Sequence, residues 1–517
     1  MLDYVFGANI LENLTTGMYQ DSKVIYREYI QNACDQIDVA IKEKLISPNE
    51  GKISIWLDSD NRSIRIEDNA TGIKASMFQK TLGNIADSDK IIGENKGFRG
   101  IGRLCGLAYC SKLVFTSSSK GENVESIMEC DALKMRQMIN ENVKGKKYTA
   151  NEVLNSINKF EERKACDIDS HYFKVDLIGV NPENVDLLDA SQIKKYLSFV
   201  APVPYQNNFI YRSKIYDYAK ENKYYIDEYT VKLNGEQIFK KYTTVLKEAN
   251  GNKYDDIFGV DFHNFHDSSG EIIAWMWIGL SRFIKAIPTI NSMRGLRLRK
   301  ENIQIGQEDS LKKLFKEDRG NNYFIGEVFA VNNDLIPNSQ RDYFNENPMR
   351  HEFECQLKEY FYKELHRIYH DGSILNSAYK KIDNHSKKES EFRQKQSEGI
   401  FIDSSHREQE LDRIEEAKKE AKDAQKRINR IKNSAASLVQ EVITQIEKER
   451  SVADANSSLC INQPDVNNKK HPRRTDKLSK YNKNERKLIS KIFSIIVSVT
   501  DDENAEFIIS KIEEGLQ

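Results

Sequence analysis

The sequence of 517 residues has no run of eighteen apolar residues, which excludes a membrane-spanning helix. Its N-terminus carries Asp3 and no succession of basic, apolar and small residues, so a secretory signal is not expected and a cytoplasmic protein is. Charge of one sign is also lacking. Lys and Arg number 78 against 79 Asp and Glu, a net charge of −1 that lends no support to a nucleic-acid or membrane-surface partner. The seven cysteines (34, 105, 110, 130, 166, 355 and 460) show no Cys-x-x-Cys spacing and read as reduced cytosolic thiols. The nine histidines are scattered, and His263 and His266 with Asp267 fit a polar loop better than a metal cluster.

What is present is a polar, soluble composition, 30% charged and 39% hydrophobic, long enough for two to four domains. One stretch organises the rest: Tyr26-Arg-Glu-Tyr-Ile-Gln-Asn-Ala-Cys-Asp-Gln36. Ser22 is a candidate N-cap for a helix running to about Leu45, with an apolar stripe of Val24, Ile25, Ile30, Ala33, Ile37, Ala40 and Ile41. Glu28, Asn32 and Asp35 fall at i, i+4 and i+7, one row on that helix. Two readings fit the row: a solvated face, or hard oxygen ligands arranged for a divalent cation.

Two alternating segments, Lys52–Leu57 and Ser63–Glu67, predict strands with a turn at Asp60-Asn61. The second runs into Asp68-Asn-Ala-Thr-Gly-Ile73. Downstream, Gly97-Phe-Arg-Gly-Ile-Gly-Arg-Leu104 leaves backbone amides unshielded. If a helix follows, they form a phosphate cradle; tight packing is the other use of such glycines. Leu113–Thr116 and His171–Leu177 predict strands, residues 120–170 a mostly helical segment, and 193–204 a helix ended by prolines. A second α+β unit is expected to open with the Asn234-Gly235 hairpin and to close with a helix over about 349–369. From Leu411 the apolar positions 414, 417, 421, 424, 428, 431, 435, 438 and 442 alternate spacings of three and four. That heptad seam serves either a coiled coil or packing on the chain's own domain. Residues 451–484 lack periodicity and read as a linker, in which Lys469–Arg474 is basic. Amphipathic helices follow.

In order, Glu28-x-x-x-Asn32-x-x-Asp35, Asp68-Asn-Ala-Thr-Gly72 and Gly97-Phe-Arg-Gly-Ile-Gly102 resemble the ATP-binding domain of the GHKL superfamily, over about residues 1–205. The superfamily includes gyrase, the ninety-kilodalton heat-shock chaperones, histidine kinases and MutL, and its nucleotide site is the Bergerat fold. The segment Leu82–Lys90 looks like the lid entry of the chaperones. Pro337-Asn-Ser-Gln-Arg-Asp342 is similar to the loop of their middle domain. The resemblance implies that Glu28 is the general base, that Asn32 holds Mg²⁺, and that Asp35 lies near the sugar and phosphates. It implies that Asp68 accepts the adenine amino proton and that Gly72 gives the base room. Ser88 and Lys90 in the lid entry, with Gly97, Gly100 and Gly102 in the turn, complete the nucleotide-binding set. Arg341 is implied to stabilise charge on the γ-phosphate. These roles agree with phosphoryl transfer, which depends on positioning and charge neutralisation.

Some features depart from the family pattern. Ala70 stands where many members have Gly. The glycine-threonine pair expected at a later strand is replaced by Ser170-His171. The lid, about 83–97, is short, and the chaperones' large dimerisation domain has no counterpart. The expectation is an α+β chain. It comprises a Bergerat-type domain at 1–215, a transducer-like middle domain at 225–372, a helical, coiled-coil-prone region at 373–450, a linker at 451–484 and terminal helices at 485–517. The expected activity is slow, Mg²⁺-dependent ATP hydrolysis by a homodimer that remodels a protein partner. The alternative is an ATP-gated clamp in DNA transactions or bacterial defence, as in MutL or MORC proteins. That clamp would lack a tool of its own, since no toprim, nuclease or zinc-finger motif is visible. A histidine kinase fits poorly, because those members lack a Glu28-type base.

Overall fold

A computed structural model describes residues 5–15, 17, 21–85, 102–165, 167–283, 285–397, 401, 404–434, 437–460 and 477–516. The chain divides into two compact units, 1–279 with 287–363, and 280–286 with 364–517.

The first unit contains an eight-stranded sheet. Its strands are β1 (Lys52–Asp58), β2 (Ser63–Asp68), β3 (Cys110–Ser118), β4 (Val124–Asp131), β5 (Asn158–Lys164), β6 (Tyr172–Val180), β7 (Thr230–Leu233) and β8 (Glu236–Gln237). They lie in the order β5-β4-β3-β6-β2-β1-β7-β8. Pairing is antiparallel except β1 with β7, where Ile53 faces Val231. Alternation sets the two faces. Ile53, Ile55, Ile64, Ile66, Val175 and Leu177 point into the core. Arg65 pairs with Asp176 (2.6 Å) on the opposite face, which is solvated. Helices α1 (Asn9–Thr15), α2 (Val24–Lys42), α3 (Ala75–Gly83), α4 (Ala132–Val143) and α5 (Ala150–Ile157) bury their apolar stripes in the same core. Such a half-covered antiparallel sheet is the expected α+β arrangement.

Two local differences from the sequence reading have plain causes. Helix α2 starts at Val24 after Lys23, with no side-chain cap, and ends at Lys42. The segment expected to be mostly helical, 120–170, contains β4 and β5 as well as α4 and α5. Strand β5 (Asn-Lys-Phe-Glu-Glu-Arg-Lys) is an edge strand with exposed charges, the composition that protects an edge and also mimics a helix surface. Helix α4 is capped by Asp131, and α5 by a Thr149/Glu152 capping box, each cap worth about 1 kcal/mol.

Helices α6 (Ala190–Val200) and α7 (Arg212–Glu221) lead on. The Asn234-Gly235 hairpin forms, but β7 joins the first sheet beside β1 instead of opening a separate one. A two-stranded ribbon follows, β9 (Val245–Lys247) with β10 (Lys253–Asp256). Next is a five-stranded sheet of β11 (Gly259–His266), β12 (Ile272–Leu280), β13 (Gly295–Lys300), β14 (Ile303–Ile305) and β15 (Ile325–Ala330), ordered β11-β12-β15-β13-β14. Trp275, Trp277, Tyr205, Phe209 and Tyr242 fill its aromatic core. Helix α8 (Pro348–Tyr360) follows, with Asn347 as N-cap.

The helix expected to close near Tyr369 instead passes through a π-helical turn, Phe361–Leu365, into α9 (His366–Ser397). In the second unit α9 and α10 (Ser404–Ser434) form an antiparallel pair bridged by Lys395–Glu410 (3.2 Å) and Lys381–Glu420 (3.5 Å). Ala417, Ala424, Ile428 and Ile431 of the seam are buried. For α10, then, the seam packs within the chain. Helix α11 (Ser437–Cys460) continues into the stretch read as linker. Helices α12 (Lys483–Val499) and α13 (Asp502–Leu516) share a small core of Leu478, Phe493 and Ile509. Among the described residues no helix is long and apolar enough to cross a membrane.

Candidate functional site

Helix α2 presents its polar row against the end of β2 and the 3-10 turn Gly102–Ala108. Glu28 and Asp35 are buried and Asn32 is half-buried. A buried carboxylate needs compensation. Glu28 receives it from two guanidiniums, Arg27 Nη2 at 3.4 Å and Arg341 Nε at 3.6 Å from Oε1. The other carboxylate oxygen lies against Gly102, where a Cβ would sit 2.5 Å from it. Any side chain at 102 would collide with the carboxylate. Arg27 Nη2 also donates to the Gln340 carbonyl (3.1 Å), fastening α2 to the 337–344 loop.

Arg341 sits in that loop with φ +54°, a conformation costly for a non-glycine residue. Gly306 N–H donates to its carbonyl, and its own N–H donates to the Asn338 carbonyl. A Pro337–Phe344 bridge closes the loop. Glu28 and Arg341, far apart in sequence, are thereby brought together.

Asp68 ends β2. It is buried, and burial pushes its carboxyl up to about 7, against the pull of the Ala70 and Phe173 amides. Ala70 N–H donates to Oδ1 at 3.0 Å. Asn69 is structural: its amide accepts from Lys52 N–H and donates to the Glu50 carbonyl. Gly72 has φ +64°, and a Cβ there would lie 1.9 Å from the Ser118 carbonyl oxygen, so only glycine fits. His171, at the position read as replacing the glycine-threonine pair, has Nδ1 at 2.7 Å from the Ala70 carbonyl and so supports the Asp68 turn.

Sequence reasoning passed over three side chains of this region. Thr71 Oγ1 donates to Gln36 Oε1 (2.9 Å), tying the turn to α2. Ser117 Oγ accepts from Ile73 N–H and donates to the Tyr172 carbonyl. Arg27 precedes Glu28 directly, and that adjacency was the available signal. Of the remaining candidates, Ser88, Lys90, Gly97 and Gly100 lie outside the described residues, as does most of the lid. Among the described residues no group of three or more His, Cys, Asp or Glu could hold a metal. His263 stacks on Tyr360, and Asp267 accepts from Ser269 and Glu271 in a turn. Asn32 offers one amide oxygen on the same helical face as Glu28 and Asp35. That donor set suits Mg²⁺ held chiefly by phosphates and water.

Residues 24–164 match the family model for histidine kinase-, DNA gyrase B- and HSP90-like ATPases. Among curated proteins, the chain is similar to the chaperone protein HtpG of Rickettsia akari, 28% identical over 142 residues, 24% of this chain and 23% of the relative. It is similar also to HtpG of Sulfurovum sp., 36% identical over 85 residues, 15% of this chain and 14% of the relative. HtpG of Rhizobium etli is 30% identical over 104 residues, 18% of this chain and 16% of the relative. The aligned part thus spans less than a quarter of these relatives' length. The likeness to GHKL-type, Hsp90-like ATPases lies in residues 24–164. Glu28, Asn32, Asp35, Asp68, Gly72 and Gly102 all fall inside the matched stretch; Arg341 does not.

Proposed function

We propose that the chain binds ATP between α2 and the end of β2 and hydrolyses it slowly, and that the cycle remodels a protein partner. The observation that carries this reading is the Arg341–Glu28 approach beside Gly102, which gathers an acid, a cation and an open backbone at one point. Asp68 accepts a hydrogen bond from the adenine amino group, and Gly72 leaves the base room. Glu28 takes a proton from the attacking water. The Arg341 guanidinium faces the charge that develops on the transferred phosphoryl group. Asn32 would hold Mg²⁺, which when bound neutralises charge between the phosphates. Ser88, Lys90, Gly97 and Gly100 belong to the same reading as phosphate contacts of the lid. Asp35 stands beside the sugar.

Turnover is slow because the site is complete only when the 337–344 loop meets α2. This reading divides the chain by function into a nucleotide domain to about 215, a middle domain of 225–372 carrying Arg341, and helical regions beyond, although β7 and β8 complete the sheet of the first. Homodimerisation, client binding and a cytoplasmic location belong to this reading too, supported by the likeness to HtpG.

The experiment is steady-state ATPase turnover beside equilibrium nucleotide binding. Glu28→Ala should lower turnover about 10²–10⁴-fold and leave ATP bound. Arg341→Ala should lower it about a hundredfold or more, with little change in binding. Wild-type turnover in either variant would remove that residue from the reading.

A further inference from the structure

Beside Glu28 lies a chamber of about 770 Å³, walled by the start of α2, by α6, by residues of the 289–308 stretch and by the 340–342 loop. Three guanidiniums in its walls are nearly shut off from solvent: Arg27 is 8% exposed, Arg297 3% and Arg341 9%. The acidic residues of the lining, Asp21, Glu308 and Asp342, are exposed. Positive charge therefore sits deep and negative charge shallow.

Buried cations call for an anion. Arg27 and Arg341 share the Glu28 carboxylate. Among the described residues Arg297 makes no direct ion pair, although the Glu308 and Glu327 carboxylates act on it from farther away. Its Nη1 donates to Gln304 Oε1 at 2.9 Å, its Nη2 donates to the Ser292 carbonyl, and its plane lies over the Phe199 ring. The Nε groups of both Arg297 and Arg27 are buried with no hydrogen-bond partner. Burial lowers the proton affinity of Arg297, against the opposing pull of the more distant Glu308 and Glu327 carboxylates. Guanidinium forks in a dry wall are suited to tetrahedral oxyanions.

The geometry points to a phosphate-group site in this chamber, separate from the nucleotide pocket, with Arg297 and Arg27 as its principal donors. The group has two sources. It is either the phosphate cleaved from ATP, moving past Arg341 into the chamber, or a phosphorylated solute entering from outside. Only the first source rests on the ATPase reading.

The test titrates the full chain, free of nucleotide, with inorganic phosphate at constant ionic strength, following ³¹P line broadening and the melting temperature. Binding should saturate, sulfate should compete and chloride should not. Arg297→Gln should weaken it about tenfold. Should that variant not fold, Lys195→Glu, an exposed change in the same lining, should weaken it as well. The absence of saturable binding in the wild type, or wild-type affinity in both variants, overturns the site. A single-turnover ATP experiment with a fluorescent phosphate sensor then separates the sources. Altered phosphate release in Lys195→Glu, with cleavage and ADP release unchanged, supports the product. Unaltered release beside weakened equilibrium binding supports a solute from outside. A chain that binds phosphate here but never cleaves ATP removes the ATPase reading and leaves the site.

Discussion

At the scale of the residue, Asp68 is the side chain whose chemistry the fold alters most. Its carboxyl is raised from the ordinary aspartate range to about 7 by burial. The folded chain therefore holds this proton more tightly than the unfolded chain. Stability should fall as pH rises from about 4 to about 7 and level off above, by at most about 4 kcal/mol from this group. Asp68→Asn keeps an acceptor for Ala70 N–H but cannot ionise. It should exceed the wild type in stability at pH 8, lose that advantage towards pH 5, and no longer bind ADP. Urea unfolding at the two pH values, with nucleotide titration, checks this; parallel pH slopes in both proteins would contradict it. Arg341 carries strain of a different kind, a left-handed backbone held by Gly306 and Asn338.

Among the elements, β15 holds the most demanding interaction. Glu327 has both carboxylate oxygens buried, with Lys240 Nζ at 3.0 Å, Arg299 Nε and Tyr205 OH beside them and Tyr242 OH at 3.2 Å. Burial alone would raise its carboxyl; Arg299 and Lys240 instead hold it well below the usual range. Arg299 also donates to the Phe199 carbonyl at the end of α6, and Lys240 to Asn302 Oδ1. This network joins α6 to the sheet that carries the Arg341 loop. Glu327→Gln would remove the carboxylate in direct contact with two buried cations, leaving them only the more distant Glu228, and should cost about 3–5 kcal/mol. Urea unfolding of the full chain measures this, and a loss under about 1 kcal/mol would mean the network contributes little. The contribution of Glu327 should fade below about pH 4, as a carboxylate held low in the folded state is lost only in acid.

At the scale of the whole molecule, α12 presents four exposed apolar side chains on one helix among the described residues. Leu488 is 60% exposed, Ile492 42%, Ile495 59% and Val499 73%. Their spacings of four, three and four make one stripe, set apart from the Phe493 side that packs on α13. An exposed stripe of this kind supports the homodimer of the proposed function. Ile492→Asp with Ile495→Asp should convert a dimer into a monomer in sedimentation velocity without lowering the helix content. Identical sedimentation of wild type and variant would count against this stripe as the interface.

The row Glu28-Asn32-Asp35 and the Asp68–Gly72 turn were visible as local patterns, whereas the Arg341 loop stood out only by its resemblance to the chaperones' middle-domain loop. Helical spacing, a glycine at a tight turn and a strand's end are written within a dozen residues. The charged edge strand β5, the addition of β7 to the first sheet and the packing of the α10 seam on α9 were not legible in the same way. Each depends on which distant segment supplies the partner, and strand pairing or helix packing is decided by burial across the whole unit. The same holds within the site. The sequence by itself determined which carboxylates and glycines are available. Only the tertiary structure decided that Arg27 and Arg341 flank one carboxylate and that Arg297, bonded to Gln304 and Ser292 rather than to a carboxylate, lines the chamber beside them. Charge compensation in a dry interior is set by distance in space, which sequence order does not contain.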